Sequence, residues 1–364
     1  METIGIDLHP KRTRYVRMSQ DGRVTQKASI ASTPESFRQA FANCLPGATR
    51  IALEATGNWY WAVDALEELG LETHLANPRK VRLIAESTIK TDTVDATALA
   101  NLLRMGWLPE SRITPQEARL LRERLRCRIT LVRIRSSVKC RIHTIFDKQG
   151  IIPPELSDLF GKTGRAWLDR VKLTLEYREN LNSYLRLLDF LGEEVKLTEE
   201  WLKERTRKDR DIGLLMAIPG IGRFGAALIL AEIGDIAFFA NKRKLSSFVG
   251  VVPGADNSNL RVRDTGLKRD SNPYLRWLLA ESATKAIRLV PAWQQLYERI
   301  HAGNPKRRSK ARVAVMHKMV CAIWRVLTTK QPFDRLHNCP ELTKTQNNGE
   351  LVTGTGLKQD RVTD

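Results

Sequence analysis

The chain has 364 residues, 42% of them hydrophobic, which is enough for two or three domains around a substantial core. Its 60 Lys and Arg outnumber 41 Asp and Glu, and the resulting net charge of +19 is more than a fold needs; it points to a polyanionic partner, of which nucleic acid is the commonest. Five scattered cysteines with no C-x-x-C pair argue against a zinc site or a disulfide framework, and no apolar run approaches the ~18 residues of a membrane span.

Residues 1–107 alternate strand and helix. Thr3 to Asp7 reads as a buried strand, Arg14 to Met18 as its hairpin partner, and Gln20-Asp21-Gly22 as the turn before a third strand near Val24 to Ile30. The first residues are thus strand rather than signal peptide, and a soluble cytoplasmic protein with no membrane partner is expected. Ser32 to Ala42 reads as an amphipathic helix, with Thr33 as N-cap before Pro34. Arg50 to Glu54 is a fourth strand, Tyr60 to Leu69 a helix closed by Gly70, Glu72 to Leu75 a fifth strand, and Asn77-Pro78 opens another helix. Three strands in a meander followed by alternating helices and strands is the order of a ribonuclease-H-like fold. Flavodoxin-like folds also alternate, but they lack the opening meander.

Acids fall at particular places in this pattern. Asp7 closes Ile4-Gly5-Ile6, and Glu54 closes Ile51-Ala52-Leu53; carboxyl ends of strands are where sheets bind ligands. Lys90-Thr91-Asp92-Thr93-Val94-Asp95-Ala96 then sets two carboxylates three residues apart at the start of an Ala/Leu-rich helix, on one helical face. Acids at a helix start also suit the helix dipole. Four acids converging from two strands and a helix would instead suit a hard divalent cation, Mg²⁺ or Mn²⁺. Actin-like ATPases also begin with a strand ending Gly-Ile-Asp, but they need glycine-rich phosphate loops, and this chain has no P-loop or Rossmann fingerprint.

A long basic helix follows from 115 to about 148, crowded by Arg119, Arg122, Arg124, Arg126, Arg128, Arg133, Arg135, Lys139 and Arg141. Acids are almost missing from the same stretch, so pairing along the helix does not account for the charge, and phosphate contact is expected. Ile151-Ile152-Pro153-Pro154 breaks that helix. A second, from about Leu173 to Arg207, carries Leu181, Leu185, Leu188, Val195 and Leu202 near 4-3 spacing, interrupted at Gly192, and suggests coiled-coil packing within or between chains. Ile218-Pro219-Gly220-Ile221-Gly222 reads as the turn of a helix-hairpin-helix, whose amides at Gly220 and Gly222 would meet phosphate at a helix start. After Lys242-Arg243-Lys244 and a helix comes a polar segment, Gly254 to Asn272, expected to be a long functional loop; it holds Ser258, Arg261, Arg263, Lys268 and Arg269. Helices near 275–289, 291–301 and 310–329 close the pattern, with the basic run Lys306 to Lys310 between the last two, and a polar tail from about Gln331 is expected to be poorly ordered.

The motifs Ile-Gly-Ile-Asp7, Leu-Glu54-Ala-Thr-Gly, Lys-Thr-Asp92-Thr-Val-Asp95-Ala, Ile-Pro-Gly-Ile-Gly222 and Phe-Val-Gly-Val-Val-Pro253 through Leu-Arg276, in that order, resemble the DEDD-type insertion-sequence transposases. The resemblance covers residues 1 to about 330. It implies a RuvC-like (ribonuclease-H-like) metal-binding domain over 1–107, a basic helical and coiled-coil segment over 108–210, a carboxy-terminal transposase domain over 211–330, and a tail over 331–364. It implies Mg²⁺ or Mn²⁺ held by Asp7, Glu54, Asp92 and Asp95, and a serine that attacks DNA phosphate and becomes joined to it. The matching serine is Ser258, although this chain reads Asp256-Asn257-Ser258-Asn259 where the family commonly has glycine after serine; Ser246, Ser247 and Ser271 stand nearby. Arg261 and Arg263 are close enough in sequence to clamp the same phosphate. The resemblance further implies donor and target DNA and a structured guide RNA as partners, a dimer that assembles into a tetramer, and a prokaryotic cytoplasm. The competing function is a RuvC-like junction nuclease in which water, not serine, attacks.

Overall fold

A computed structural model describes residues 1–84, 92–258, 261–268 and 270–333. Its contacts divide the chain into two units, Met1–Pro115 and a second that begins at Gln116. The first unit opens with β1 (Glu2–Leu8), β2 (Arg12–Met18) and β3 (Val24–Ala31). Then come α1 (Pro34–Phe41), β4 (Thr49–Glu54), α2 (Trp59–Glu67), β5 (Glu72–Ala76), α3 (Pro78–Ile84), α4 (Asp92–Arg104) and the short β6 (Glu110–Ser111). The sheet order is β3-β2-β1-β4-β5-β6. β1 to β3 pair antiparallel, while β1, β4 and β5 run parallel. That is the ribonuclease-H-like arrangement expected from the opening meander.

Strand alternation decides what each face carries. Ile4, Ile6, Ile51 and Leu53 bury one face against Phe37 and Phe41 of α1 and Ala62, Val63 and Leu66 of α2. The intervening residues, Gly5 and Ala52, are register partners on the opposite face. There α4 lies on the sheet, with Ala96, Leu99, Ala100 and Leu103 buried at helical spacing. The helix approaches so closely that a Cβ on Gly5 would stand 1.9 Å from the Ala96 carbonyl oxygen and 2.6 Å from the Ala100 nitrogen. Glycine at position 5 is therefore a packing requirement: it lets the α4 backbone rest on β1. Asp7 and Glu54 share the parity of Gly5 and Ala52, so alternation sends both toward the α4 face.

The second unit is mostly helical. It comprises α5 (Gln116–Gln149), α6 (Lys162–Arg170), α7 (Leu175–Arg205), α8 (Arg210–Met216), α9 (Arg223–Ile233) and α10 (Lys242–Val249), then a β-hairpin, β7 (Pro253–Ser258) and β8 (Arg261–Leu267), then α11 (Pro273–Leu289), α12 (Pro291–His301) and α13 (Arg308–Thr329). Val138, Ile142, Ile145 and Phe146 of α5 pack on Leu181, Leu185, Leu188 and Leu191 of α7, with Leu168 of α6 between them. A larger core gathers Leu125, Ile129 and Leu202 with residues of α8 to α13.

Two expectations need correction. The spacing of α7 is not interrupted at Gly192; the helix runs through it, and open space lies where its Cβ would be. One glycine costs about 1 kcal/mol in a helix interior, which packed leucines on both sides outweigh. The segment after Pro253 is not a loop over its length but a two-stranded antiparallel pair, from Pro253 opposite Leu267 to Ser258 opposite Arg261. Its polar composition hid the strands, because a ribbon held by backbone hydrogen bonds needs no apolar alternation to pair. Lys90, Thr91, Asn259, Arg269 and the tail from Asp334 onward lie outside the described residues. Phe333, just before that tail, packs against Trp293 with ring centroids 5.6 Å apart.

Candidate metal centre and nucleic-acid interface

Asp7, Glu54, Asp92 and Asp95 line one cleft of about 680 Å³ in the first unit, together with Leu8, His9, Pro10, Thr56, Gly57 and Asn58. Asp7 and Glu54 come from the ends of neighbouring parallel strands. Asp92 and Asp95 come from the first turn of α4, which Gly5 and Ala52 allow to sit low on the sheet. The fold thus brings together all four acids singled out in the sequence.

The electrostatics are those of crowded anions. Burial raises the Asp7 carboxyl above its ordinary range; His9 pulls it down, and Asp92 and Asp95 push it up again. His9 Nε2 stands 3.2 Å from Asp7 Oδ2 and 3.7 Å from Asp92 Oδ1. Arg14 Nε is 3.4 Å from Asp92 Oδ2. Sequence reading missed both His9 and Arg14. His9 has the parity of Asp7, and Arg14 is the cross-strand register partner of Asp7, so a hairpin register would have found each of them.

Does the cleft fit a divalent cation? Its donors are carboxylate oxygens with one imidazole, the set that hard and borderline divalent ions take. Asp7 Oδ2 is buried, with the His9 ring 3.2 Å away. A cation among Asp7, Asp92 and Asp95 would offset their mutual repulsion. The residues fit.

In the second unit the arginines of α5 divide. Arg119 is buried. Arg122 donates to the Ala231 carbonyl at 2.9 Å. Arg126 forks onto Glu232 at 2.8 and 2.9 Å and covers the Tyr274 ring at 4.4 Å. Arg128 pairs with Glu199 and covers Phe224 at 4.1 Å. Arg124 stands 5.8 Å over Trp201 yet remains exposed, as are Arg133 and Arg141, with Arg135 half-buried. The missing acids therefore come from other helices, which inspection of α5 alone could not reveal. Glu232, only 4% exposed, also accepts a hydrogen bond from Asn272 Nδ2 at 2.7 Å, and Asn272 caps α11.

Gly220 adopts φ +89°, and a Cβ there would stand 2.4 Å from the Ser282 carbonyl oxygen; its role is to seat the turn on α11. Gly222 is the exposed N-cap of α9. Ser246 is buried and donates to the Lys242 carbonyl. Ser247 accepts from Lys268 Nζ at 2.9 Å, and Ser271 bonds Arg276. Ser258 ends β7 at the hairpin tip, in register with Arg261, and Arg263 is in register with Asp256.

Two comparisons with protein families agree with this layout. Residues 4–150 match a DEDD-type transposase family, and residues 213–298 match the transposase IS116/IS110/IS902 family. Both matches support a DEDD-type insertion-sequence transposase family for this chain. Among its relatives, the transposase for insertion sequence element IS1111A of Coxiella burnetii is 27% identical over 92% of this chain and 91% of its own. A probable family 20 transposase of Pseudomonas aeruginosa is 24% identical over 90% and 97%. A RuvC structure from T. thermophilus, in complex with a Holliday junction substrate, aligns with 30% of this chain and 99% of its own at 14% identity and a TM-score of 0.23; at that score the strand order carries the fold assignment alone. A transposase binds and cleaves DNA, and ribonuclease-H-like nucleases generally use divalent metal ions. Among the described residues, no helix of this transposase is long and apolar enough to cross a membrane.

Proposed function

We propose that this transposase cuts and rejoins DNA strands with Asp7, Glu54, Asp92 and Asp95 as holders of Mg²⁺ or Mn²⁺ and with Ser258 as the attacking hydroxyl. The observation that carries the reading is the convergence of the four acids on one cleft. When bound, the metal lowers the pKa of an attacking hydroxyl and stabilises charge on the phosphate being transferred.

In the proposed step the Ser258 oxygen forms a bond to a DNA phosphorus as the bond to a sugar oxygen breaks. The serine proton passes, in sum, to that departing sugar oxygen. One phosphate ester replaces another, so a second strand end can attack the protein–DNA ester and reseal without an external energy source. Ser258 is favoured over its neighbours because Ser246 is buried, while Ser247 and Ser271 are engaged by Lys268 and Arg276. Arg261, in register with Ser258, and Arg263 nearby would hold the phosphate.

Exposed Arg124, Arg133 and Arg141, with Arg135, Gly222, Lys268 and the exposed Lys306 to Lys310 run, are proposed to hold nucleic-acid phosphates, including those of a structured guide RNA. Donor and target DNA together present several strand ends, which calls for more than one copy of the chain. A serine from one copy would then meet the acids of another.

The test is whether DNA stays attached to the protein after denaturation. Wild type should give the adduct in Mg²⁺ and none in excess chelator. Ser258→Ala should form no adduct while still binding DNA. Cleavage by wild type with no adduct at any time point would leave the junction-nuclease reading, with water as nucleophile.

A further inference from the structure

We propose that His9 is itself a ligand of the ion in the acidic cleft, a nitrogen donor that tilts the site from Mg²⁺ toward Mn²⁺. This rests on the metal-binding reading above and adds a residue that the four-acid pattern does not contain.

The geometry begins with the backbone. β1 ends at Leu8, so His9 could turn either way. Two features favour an extended His9. Pro10 follows, and a residue before proline is held away from the helical region. The His9 carbonyl also accepts a hydrogen bond from Ser32 Oγ at 2.6 Å, tying it to the segment after β3. An extended His9 preserves the alternation of β1, and its ring falls on the side of Asp7.

The donor spacing fits a shared ion. Ligands at adjacent corners of an octahedron with ~2.1 Å bonds lie about 3 Å apart, and opposite corners about 4 Å. His9 Nε2 is 3.2 Å from Asp7 Oδ2 and 3.7 Å from Asp92 Oδ1, within those limits. One ligand atom from each of Asp7, His9 and Asp92 falls within 4.8 Å of the others. His9 is about half exposed, which leaves the ion an approach from solvent.

The chemistry sets the consequence. Mg²⁺ prefers oxygen donors and sheds water reluctantly, whereas imidazole nitrogen suits later divalent metals. An all-carboxylate site has no such bias. Replacing His9 by glutamine should therefore weaken Mn²⁺ more than Mg²⁺.

The experiment uses the full-length chain stripped by chelator and titrated with Mn²⁺. Electron spin-echo modulation reports nitrogen bound directly to Mn²⁺, and competition by Mg²⁺ gives the second affinity. Wild type should show nitrogen modulation, and growth on ¹⁵N-histidine should change its pattern without any substitution. His9→Gln should lose the modulation and bind Mn²⁺ about tenfold more weakly, with Mg²⁺ affinity changed by less than about threefold. His74→Gln, whose ring lies between Glu72 and Glu110 on the sheet edge, should behave as wild type. Bound Mn²⁺ with no nitrogen modulation, or equal losses for the two metals, would overturn the role of His9 and make it a mere counter-cation. A wild-type chain that binds no Mn²⁺ would overturn the metal reading as well.

Discussion

Asp7 carries the largest electrostatic strain at the site, and its sign can be followed through pH. Burial, opposed by His9 and reinforced by Asp92 and Asp95, raises its carboxyl above the ordinary 3.8. The folded state therefore favours the protonated form. Its contribution to stability is full below the unfolded value and is lost as pH rises through the raised one. Asp7→Asn should then raise the melting temperature of metal-free protein at neutral pH, flatten the fall in stability between acid and neutral pH, and abolish strand cleavage. Melting curves in chelator against pH check it, and an unchanged pH profile would count against the account. Glu232 is the opposite case, an acid fully supplied with partners. Arg126→Ala removes its fork but leaves Arg122 and Asn272, so a loss of about 2–3 kcal/mol is expected in denaturant unfolding, below the ~3–5 of a fully orphaned buried charge. The four acids were legible in sequence because strand ends and an i, i+3 pair have local signatures. Glu232 was not: nothing along α9 marks it, and its partners are 106 and 40 residues away.

At the scale of elements, α5 shows how far composition can be trusted. Its charge implied a partner, but it could not say which arginines face that partner. Arg122, Arg126 and Arg128 are held by Ala231, Glu232 and Glu199, and the exposed Arg124, Arg133 and Arg141 are the ones proposed to meet phosphate. Replacing those three with glutamine should lower nucleic-acid affinity and reduce the slope of log affinity against log salt by about two to three. Folding should be unaffected. The same slope in the triple variant would make this a solvated face. The β7–β8 hairpin was illegible for a different reason, since its pairing is carried by the backbone and its side chains are as polar as a loop's. Seating α4 on β1 was half legible: Ile-Gly-Ile-Asp shows an apolar strand ending in an acid, but not that its glycine faces a helix backbone. Gly5→Ala should cost about 1–3 kcal/mol by overpacking, and it should weaken metal binding because Asp92 and Asp95 ride on the lifted helix.

For the whole molecule, the proposed chemistry joins acids in the first unit to a serine in the second. Mixing Asp92→Asn chains with Ser258→Ala chains separates two arrangements. If the active site is completed across copies, the mixture should regain part of the wild-type adduct and strand exchange, because one pairing unites the intact cleft with the intact serine. If each chain serves itself, the mixture should do no better than its parents. The strand order and the acids were readable from the sequence, but which chain's serine would serve which chain's acids was not, because no local pattern records it.

The atoms that crowd position 5 have a genetic consequence. A Cβ there meets the Ala96 carbonyl oxygen and the Ala100 amide nitrogen, both main-chain atoms present whatever residue is encoded. No trimming of a side chain on α4 can make room. In a selection for restored transposition, an element carrying Gly5→Ala should return almost only by reversion of that codon, whereas alanine substitutions in packed side-chain cores elsewhere should yield second-site suppressors as well. Sequencing revertants would show the contrast.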